Sequence, residues 1–235
     1  MIALILCGGL GTRLRSLHPD LPKALVPVRG RPFLAWMLAW LRGQGVTRAH
    51  LAAGYRADQI AAWAHSASLP GLDLSVSVEP APLGTGGGLR FGAKQAAGDV
   101  LLVLNGDSFL PSLHLDALVA QHRASPSATV LAVTRIEAAG RYGTVEFDDT
   151  CRITAFREKA DRNDGWVNGG VYVMPRSVVE RIPEDRPSSL EQDLFPRLAA
   201  AGLLAAHPTP PPLLDMGTPE GLAAMETHLA GHPIA

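Results

Sequence analysis

This chain is poor in the features that mark several protein classes. It has two cysteines, Cys7 and Cys151, in 235 residues, too few for a disulfide framework, so a reducing compartment is expected. Charged residues make up 18%, against about a quarter in an average domain. The formal net charge is −1 and the basic residues are scattered, whereas a nucleic-acid binder gathers them on one face. No apolar run approaches the roughly 20 residues that span a bilayer. The opening run Ile2–Leu6 is short, lacks a basic flank and leads into glycines, unlike a signal peptide. These absences together set the expectation of a cytoplasmic protein with neither nucleic acid nor membrane as partner. No internal repeat is present either, including the hexapeptide type that builds a β-helix.

What the chain does have is apolar substance, 47% of its residues, enough for one good-sized α/β core. Strand-like runs at 2–6, 50–53, 74–78, 100–104 and 128–133 alternate with helix-like runs at 32–42, 58–64, from about Thr85, and at 113–123. That rhythm predicts a single-domain, Rossmann-like three-layer sandwich around a mostly parallel, mixed sheet covered on both faces. Past residue 140 shorter meander-type strands are expected at 145–147, 153–156 and 167–174, then helices at 190–201 and 219–229. Residues 1–140 are accordingly expected to form one part of the domain and 141–235 a substrate-recognition part folded onto it. The segment Phe33–Leu41 is apolar almost all round, which predicts a deeply buried core helix. A subunit interface, and with it a homodimer, is the alternative.

The first strand runs into Gly8-Gly9-Leu10-Gly11-Thr12-Arg13-Leu14, with Pro22-Lys23 following. A glycine-rich loop after a buried strand brings backbone N–H groups and fixed cations against a polyphosphate. The dinucleotide fingerprint is excluded, because its third glycine position holds Leu14, and a Walker A loop is excluded because Lys23 lacks the Gly-Lys-Ser/Thr context. What remains resembles the signature of the sugar-1-phosphate nucleotidylyltransferases, with matching spacing over residues 8–23 and two departures, Ser16 for proline and His18 for threonine. The resemblance implies that Gly8, Gly9, Gly11 and Thr12, with Leu6 behind them, cradle a nucleoside triphosphate. It implies that Arg13 holds the β/γ-phosphates and that Lys23 lies against the α-phosphate.

An apolar strand also leads into Asn105-Gly106-Asp107-Ser108. A carboxylate just past the carboxyl end of a central strand is where open α/β sheets place ligands, and Asp107 suits Mg²⁺, which takes oxygen donors. The second metal carboxylate is expected to be Asp215, in Asp215-Met216-Gly217-Thr218-Pro219, which matches a late motif of the family. The lead-in from Pro208 to Pro212 is expected to be extended. Thr218 is expected to cap the last helix with Pro219 at its first position.

Glu79-Pro80-Ala81-Pro82-Leu83-Gly84-Thr85 resembles the family's base-recognition loop. A carboxylate only accepts, so Glu79 suits guanine's adjacent N1–H and N2–H₂ donors, which favours GTP. Gly84 and Thr85 complete the nucleotide contacts that the resemblance implies. For the sugar 1-phosphate, the resemblance points to Asn105, Gly143, the pair Glu158-Lys159, and Asn168-Gly169. Ser188-Ser189-Leu190-Glu191 predicts a helix start with a capping serine, and a sugar contact from Glu191 is the alternative. Cys7 stands where the family more often has alanine. Fixed cations nearby would lower its pKa and make it open to alkylation, but no nucleophilic role is expected. His228 and His232 are four apart, yet are expected to be solvated.

The resemblance covers residues 2–229. Among the family's branches, the combination of Glu-Pro-x-Pro-Leu-Gly-Thr, Asn-Gly-Asp-Ser and Ser-Leu-Glu-Gln-Asp is most similar to the heptose-1-phosphate guanylyltransferases. A mannose-1-phosphate guanylyltransferase and an amino-sugar or N-acetylmuramate 1-phosphate uridylyltransferase remain open. So does a catalytically silent nucleotide-sugar-sensing subunit, against which Arg13, Lys23, Asp107 and Asp215 count. A glycosyltransferase would carry Asp-x-Asp and lack the Arg13/Lys23 pair. The chain's length speaks against an added C-terminal β-helix or acyltransferase domain.

Overall fold

The computed structural model describes residues 1–9, 11, 14, 17–125, 128–137, 143–157, 164–184, 186–231 and 234. Four strands form the parallel heart of a nine-stranded sheet: β1 (Ile2–Cys7), β4 (Arg48–Ala53), β5 (Asp73–Val78) and β6 (Val100–Asn105). β1 is central, paired with β4 on one side and β6 on the other, and β5 lies outside β4. The sheet continues beyond β6 with β11 (Gly165–Pro175), antiparallel to it. β8 (Thr129–Ile136) and β9 (Thr144–Phe147) pair with β11, β10 (Ile153–Arg157) pairs with β9, and β12 (Leu204–Pro208) lies parallel on β8. Only β10 and β11 run against the common direction, so the sheet is mixed and mostly parallel, as expected.

The central strands β1 and β6 are apolar on both faces because both faces are covered, whereas the edge strand β5 alternates polar and apolar residues. On β1, Ala3, Ile5 and Cys7 face one cluster with Leu102 and Leu104 of β6, while Ile2 and Leu4 face the other with Leu101 and Val103. Helices α1 (Phe33–Gly43), α2 (Ala57–Ser66), α4 (Leu115–Ala124) and α7 (Pro219–Gly231) pack their buried residues into the first cluster. Helices α3 (Gly84–Ala93), α5 (Arg176–Val179) and α6 (Phe195–Ala200) cover the second. The predicted core helix is α1, buried from Phe33 to Leu41 except at Trp36, with Pro32 just outside its first turn.

β11 holds the two halves of the sequence together. Its register against β8 shifts between Asn168 and Tyr172, where Gly170 takes φ +76°, so its first half meets β8 and β9 and its second half β6 and β8. Residues on both sides of position 140 therefore share one sheet.

Two local expectations need correction. The helix at 190–201 is a π-type turn, Leu190–Leu194, running into α6. Phe195 donates its N–H to Leu190 O, and the next residue, Pro196, has no N–H to continue a tighter ladder. The proline-rich run 208–212 is not uniformly extended: it begins as the end of β12 and contains a cis peptide at Pro211–Pro212. The cap on α7 is as expected, with Gly221 donating its N–H to Thr218 Oγ1 at 3.1 Å.

Candidate active site

The parallel register brings the carboxyl ends of β1, β4, β5 and β6 to one edge of the sheet. Gly8, Gly54, Glu79 and Gly106-Asp107 follow those ends in turn. This is where open α/β sheets bind ligands, and a cavity of about 320 Å³ opens there. Leu6, Gly8, Gly9, Lys23, Glu79, Gly84, Thr85, Asn105 and Asp107, all expected site residues, line it.

Lys23, Asp107 and Asp215 come from distant parts of the sequence and meet at one point. Lys23 Nζ lies 2.6 Å from Asp107 Oδ2 and 3.7 Å from Asp215 Oδ1. The lysine side chain is only 11% exposed, against 39% for Asp107 and 21% for Asp215, so the ammonium is the most enclosed of the three groups, and Lys23 and Asp107 line the cavity. A two-strand ladder fixes the pair: β7 (Ser108–Phe109) runs antiparallel to β13 (Leu214–Asp215), and Met216 donates its N–H to Asp107 O at 2.8 Å. Asp215 Oδ1 accepts from Gly217 N at 2.7 Å and Asp107 Oδ1 from Ser108 Oγ at 3.2 Å. Lys23 begins a single 3₁₀ turn ending at the buried Leu25. Gly11, at φ +59°, backs against it, and a Cβ on Gly11 would sit 3.3 Å from Lys23 Cβ.

The donor set of Asp107 and Asp215 fits Mg²⁺. Both supply hard oxygen atoms at a position that already attracts a cation, beside a cavity open to phosphate oxygens, and magnesium is typically held by one or two carboxylates plus substrate phosphates. Among the described residues no cluster of three or more His, Cys, Asp or Glu side chains gathers around a metal position.

Glu79 lines the same cavity and stands in a cage of glycines. A Cβ on Gly88 would lie 2.5 Å from Glu79 Oε1, one on Gly8 2.9 Å from it, and one on Gly54 3.3 Å from Oε2. Leu83 N donates to Oε2 at 3.2 Å, and burial pushes the carboxyl pKa up from its ordinary value. The loop after Glu79 is tied to the segment before α6. Ser188 N donates to Leu83 O and Gly86 N to Ser188 O, both at 2.9 Å. Gly84 adopts φ +74° with its Cα so near Ser188 that a Cβ would fall 2.5 Å from Ser188 O.

Ser189 caps the following turn through Gln192 N, as expected. Glu191 accepts from Thr85 Oγ1 at 2.9 Å and from Ser189 Oγ at 3.0 Å. Thr85 and Glu191 thus brace the loop with their side chains, rather than standing free toward a ligand.

The expected sugar-side residues divide. Asn105 lines the cavity. Asn168 turns inward, donating from Nδ2 to the buried Tyr172 hydroxyl at 3.0 Å and accepting from Gly170 N at 2.9 Å. Gly143 and Gly169 lie in close packing, where a Cβ would meet Phe156 at 3.1 Å and Ala132 O at 2.9 Å. Thr12, Arg13, Glu158, Lys159 and His232 lie outside the described residues.

Cys7 departs from expectation. It is buried, and burial with the Asp107 carboxylate nearby pushes its pKa up to about 12, so the thiol is held protonated rather than activated. Sequence reasoning passed over Gly54 and Gly88. Both are identified only by what approaches them, although a glycine ending β4 at the ligand edge of the sheet was an available signal.

The nucleotidyl transferase family model matches residues 2–231, and the chain belongs to that family. D-glycero-alpha-D-manno-heptose 1-phosphate guanylyltransferase of Campylobacter jejuni is 32% identical over 94% of this chain and 96% of its own length. Mannose-1-phosphate guanylyltransferase of Mycobacterium tuberculosis is 35% identical over 93% of this chain, which spans 61% of that longer protein. The crystal structure of HddC from Yersinia pseudotuberculosis complexed with GMP-PN is 29% identical, with a TM-score of 0.86 over 97% of this chain and 99% of that one.

Proposed function

We propose that this protein joins GTP to a heptose 1-phosphate, giving GDP-heptose and pyrophosphate. The observation that carries the reading is that Lys23 meets Asp107 and Asp215 while Lys23, Asp107 and Glu79 line one cavity. Cation and carboxylates suit the triphosphate, and a carboxylate acceptor suits guanine's paired donors. Full-length similarity to a heptose 1-phosphate guanylyltransferase supports the sugar. The mannose-1-phosphate enzyme at 35% identity supports GTP equally and keeps mannose 1-phosphate as the second acceptor to test.

The reaction is an in-line displacement. An oxygen of the sugar phosphate attacks the α-phosphorus, a P–O bond forms, and the bond to the β-phosphate oxygen breaks with its electron pair leaving on pyrophosphate. Both reactants are anions, so the site must offset their repulsion, and a monoester already ionised near neutral pH needs no general base. Lys23 sets an ammonium beside the α-phosphate. Gly8, Gly9, Gly11 and Thr12 present backbone N–H groups to the triphosphate, and Arg13 meets its β/γ end. Lys159 and Glu158, with Asn105, Gly143 and the part of β11 that carries Asn168 and Gly169, receive the sugar phosphate. Asp107 and Asp215 would hold magnesium, which would supply Lewis-acid stabilisation of the charge that develops on the pyrophosphate. Most of the nucleotide's partners thus fall in residues 1–140 and most of the acceptor's in 141–235, with Asn105 and Asp215 crossing that division.

No helix among the described residues is long and apolar enough to cross a membrane. Both cysteines are free thiols. We place the reaction in the cytoplasm, where nucleoside triphosphates are available, with GDP-heptose passing on to surface polysaccharide.

Pyrophosphate release, measured with each of four nucleoside triphosphates against heptose, mannose and glucosamine 1-phosphates, tests the reading. GTP with heptose 1-phosphate should give the highest kcat/KM. A preference for UTP, or no release with any pair, overturns it.

A further inference from the structure

The segment that follows β4 has no part in the chemistry described so far, yet it touches both ends of the phosphate loop. β1 and β4 are parallel neighbours with Cys7 opposite Ala53, so Gly8 and Gly54 leave the sheet side by side. They are in backbone contact: a Cβ on Gly54 would lie 2.9 Å from Gly8 Cα, and Tyr55 N donates to Gly8 O at 3.4 Å. That holds the start of the loop. Arg56 and Gln59 hold its end. Arg56 Nη1 donates to Asp20 O at 2.8 Å, its Nη2 to Pro19 O at 3.2 Å, and Gln59 Nε2 adds a bond to Asp20 O at 3.0 Å. Asp20 is three residues before Lys23.

The arrangement is specified rather than incidental. Arg56 adopts φ +50°, a conformation that a non-glycine side chain rarely takes. Its guanidinium lies 5.6 Å from the Tyr55 ring centroid and donates from Nε to the Tyr55 hydroxyl at 3.1 Å. The left-handed turn sends the backbone into α2 while the side chain reaches back over the tyrosine to the loop. The planar fork spans two successive carbonyls, which a lysine's point charge cannot do.

We propose that Arg56, seconded by Gln59, is a positioning residue for the triphosphate: it holds the end of the phosphate loop so that Lys23 arrives beside Asp107 and Asp215 already ordered. The proposal rests on the nucleotide reading of the loop. Its energetic centre is the pair of carbonyl bonds. The 3.4 Å contact to the Asp20 carboxylate, which is 89% exposed, is a solvent-screened pair of little weight.

If the binding-competent loop is populated a tenth of the time, apparent affinity falls tenfold, while bound triphosphate restores the geometry for the chemical step. Arg56→Gly is the informative variant, because glycine accepts the left-handed backbone and removes only the side chain. It should raise KM for GTP about tenfold, leave kcat and KM for the sugar phosphate within twofold, and leave Tm unchanged or higher. Arg56→Lys should recover only part of the loss, and Asp20→Asn should match the parent. Amide exchange over residues 17–23 should quicken in Arg56→Gly without nucleotide, a readout that holds whichever triphosphate the enzyme prefers. An unchanged KM for GTP together with unchanged exchange overturns the proposal, as does a fall in Tm with both KM values rising in parallel. Faster exchange in an enzyme that the parent assay shows to prefer UTP would sink the guanylyl reading and leave the positioning role standing.

Discussion

Replacing Gly106 by alanine tests whether the meeting of Asp107 with Lys23 depends on how closely β6 approaches β1. At Gly106 the backbone turns out of β6 directly over the end of β1, donating its N–H to Leu6 O at 3.0 Å. A Cβ there would lie 2.5 Å from Leu6 O and 3.2 Å from Cys7 Sγ. The first neighbour is backbone of the central strand and cannot swing aside, and real Cβ contacts essentially never fall below 3.0 Å. At least half an ångström must therefore be found by moving residues 105–107 away from β1. Overpacking of this kind costs about 1–3 kcal/mol, and weakening the Gly106 hydrogen bond adds about 1 kcal/mol. At about 2–4 °C per kcal/mol for a protein of this size, Tm should fall by roughly 5–15 °C. The displacement is transmitted to Asp107, the next residue. Since a misplacement of about 1 Å can cost ~10²-fold in rate, kcat should fall about tenfold or more. Thermal melting followed by circular dichroism and pyrophosphate release read the two effects. Gly9→Ala is the stability control, because nothing lies within 4 Å of its added Cβ. A Gly106→Ala protein that melts within 2 °C of the parent with kcat within twofold would refute the reasoning.

Asp107→Ala should lower turnover at least ~10³-fold, about 4 kcal/mol of transition-state stabilisation, while the circular dichroism spectrum stays that of the parent; an active variant removes Asp107 from the site. In a competition of GTP against UTP and ATP, Glu79→Gln should cut the preference for GTP about tenfold or more, since the amide replaces one of the two acceptor oxygens with an NH₂ that faces a guanine donor, and unchanged selectivity would take Glu79 out of base reading. His50 is bonded through both ring nitrogens, to Ser75 Oγ at 2.9 Å and Ser77 Oγ at 2.8 Å, a pattern that matches a neutral ring, and burial lowers its pKa below 6.5. The unfolded chain therefore takes up a proton first, so His50 stabilises the fold fully above pH 6.5 and loses that contribution as pH falls toward the lowered folded value. The unfolding free energy from urea titration should drop more steeply below pH 6.5 in the parent than in His50→Gln, by up to about 1.4 kcal/mol per pH unit within that window; parallel curves would contradict this.

The parallel half of the fold was readable because β1 and β6 are continuous apolar runs, β4 and β5 are short apolar or alternating runs, and each is followed by a helix-period segment or a glycine loop. β1, β4, β5 and β6 lie within two residues of expectation at each end. What escaped were elements defined by a partner rather than by their own residues. β7 and β13 are two residues each, and nothing in Ser108-Phe109 or Leu214-Asp215 announces that they pair. β12 ends in Pro208 and reads as the start of a proline-rich linker, although proline is tolerated at the end of an edge strand. The same distinction runs through the site. Lys23, Asp107, Asp215 and Glu79 stand in motifs whose chemistry is legible one segment at a time. The contact between Lys23 and the two carboxylates, the glycine cage around Glu79, and the inward turn of Asn168 all depend on distances between segments. Cys7 shows the limit most directly: neighbouring cations suggested a lowered pKa, but depth of burial, which the sequence does not carry, decides the direction.

The ladder between β7 and β13 also makes the enzyme separable in a useful way. Asp107 and Asp215 sit on opposite sides of the β10–β11 connection in the sequence, so a chain divided between residues 157 and 165 yields two fragments with one carboxylate each. Neither fragment carries both carboxylates, and in the assembled fold β11 lies beside β6 and Asp215 opposite Ser108. Pyrophosphate release from a mixture of the two fragments would then measure their reassociation, and fusing each to one of two interacting proteins would turn the active site into a reporter of that interaction.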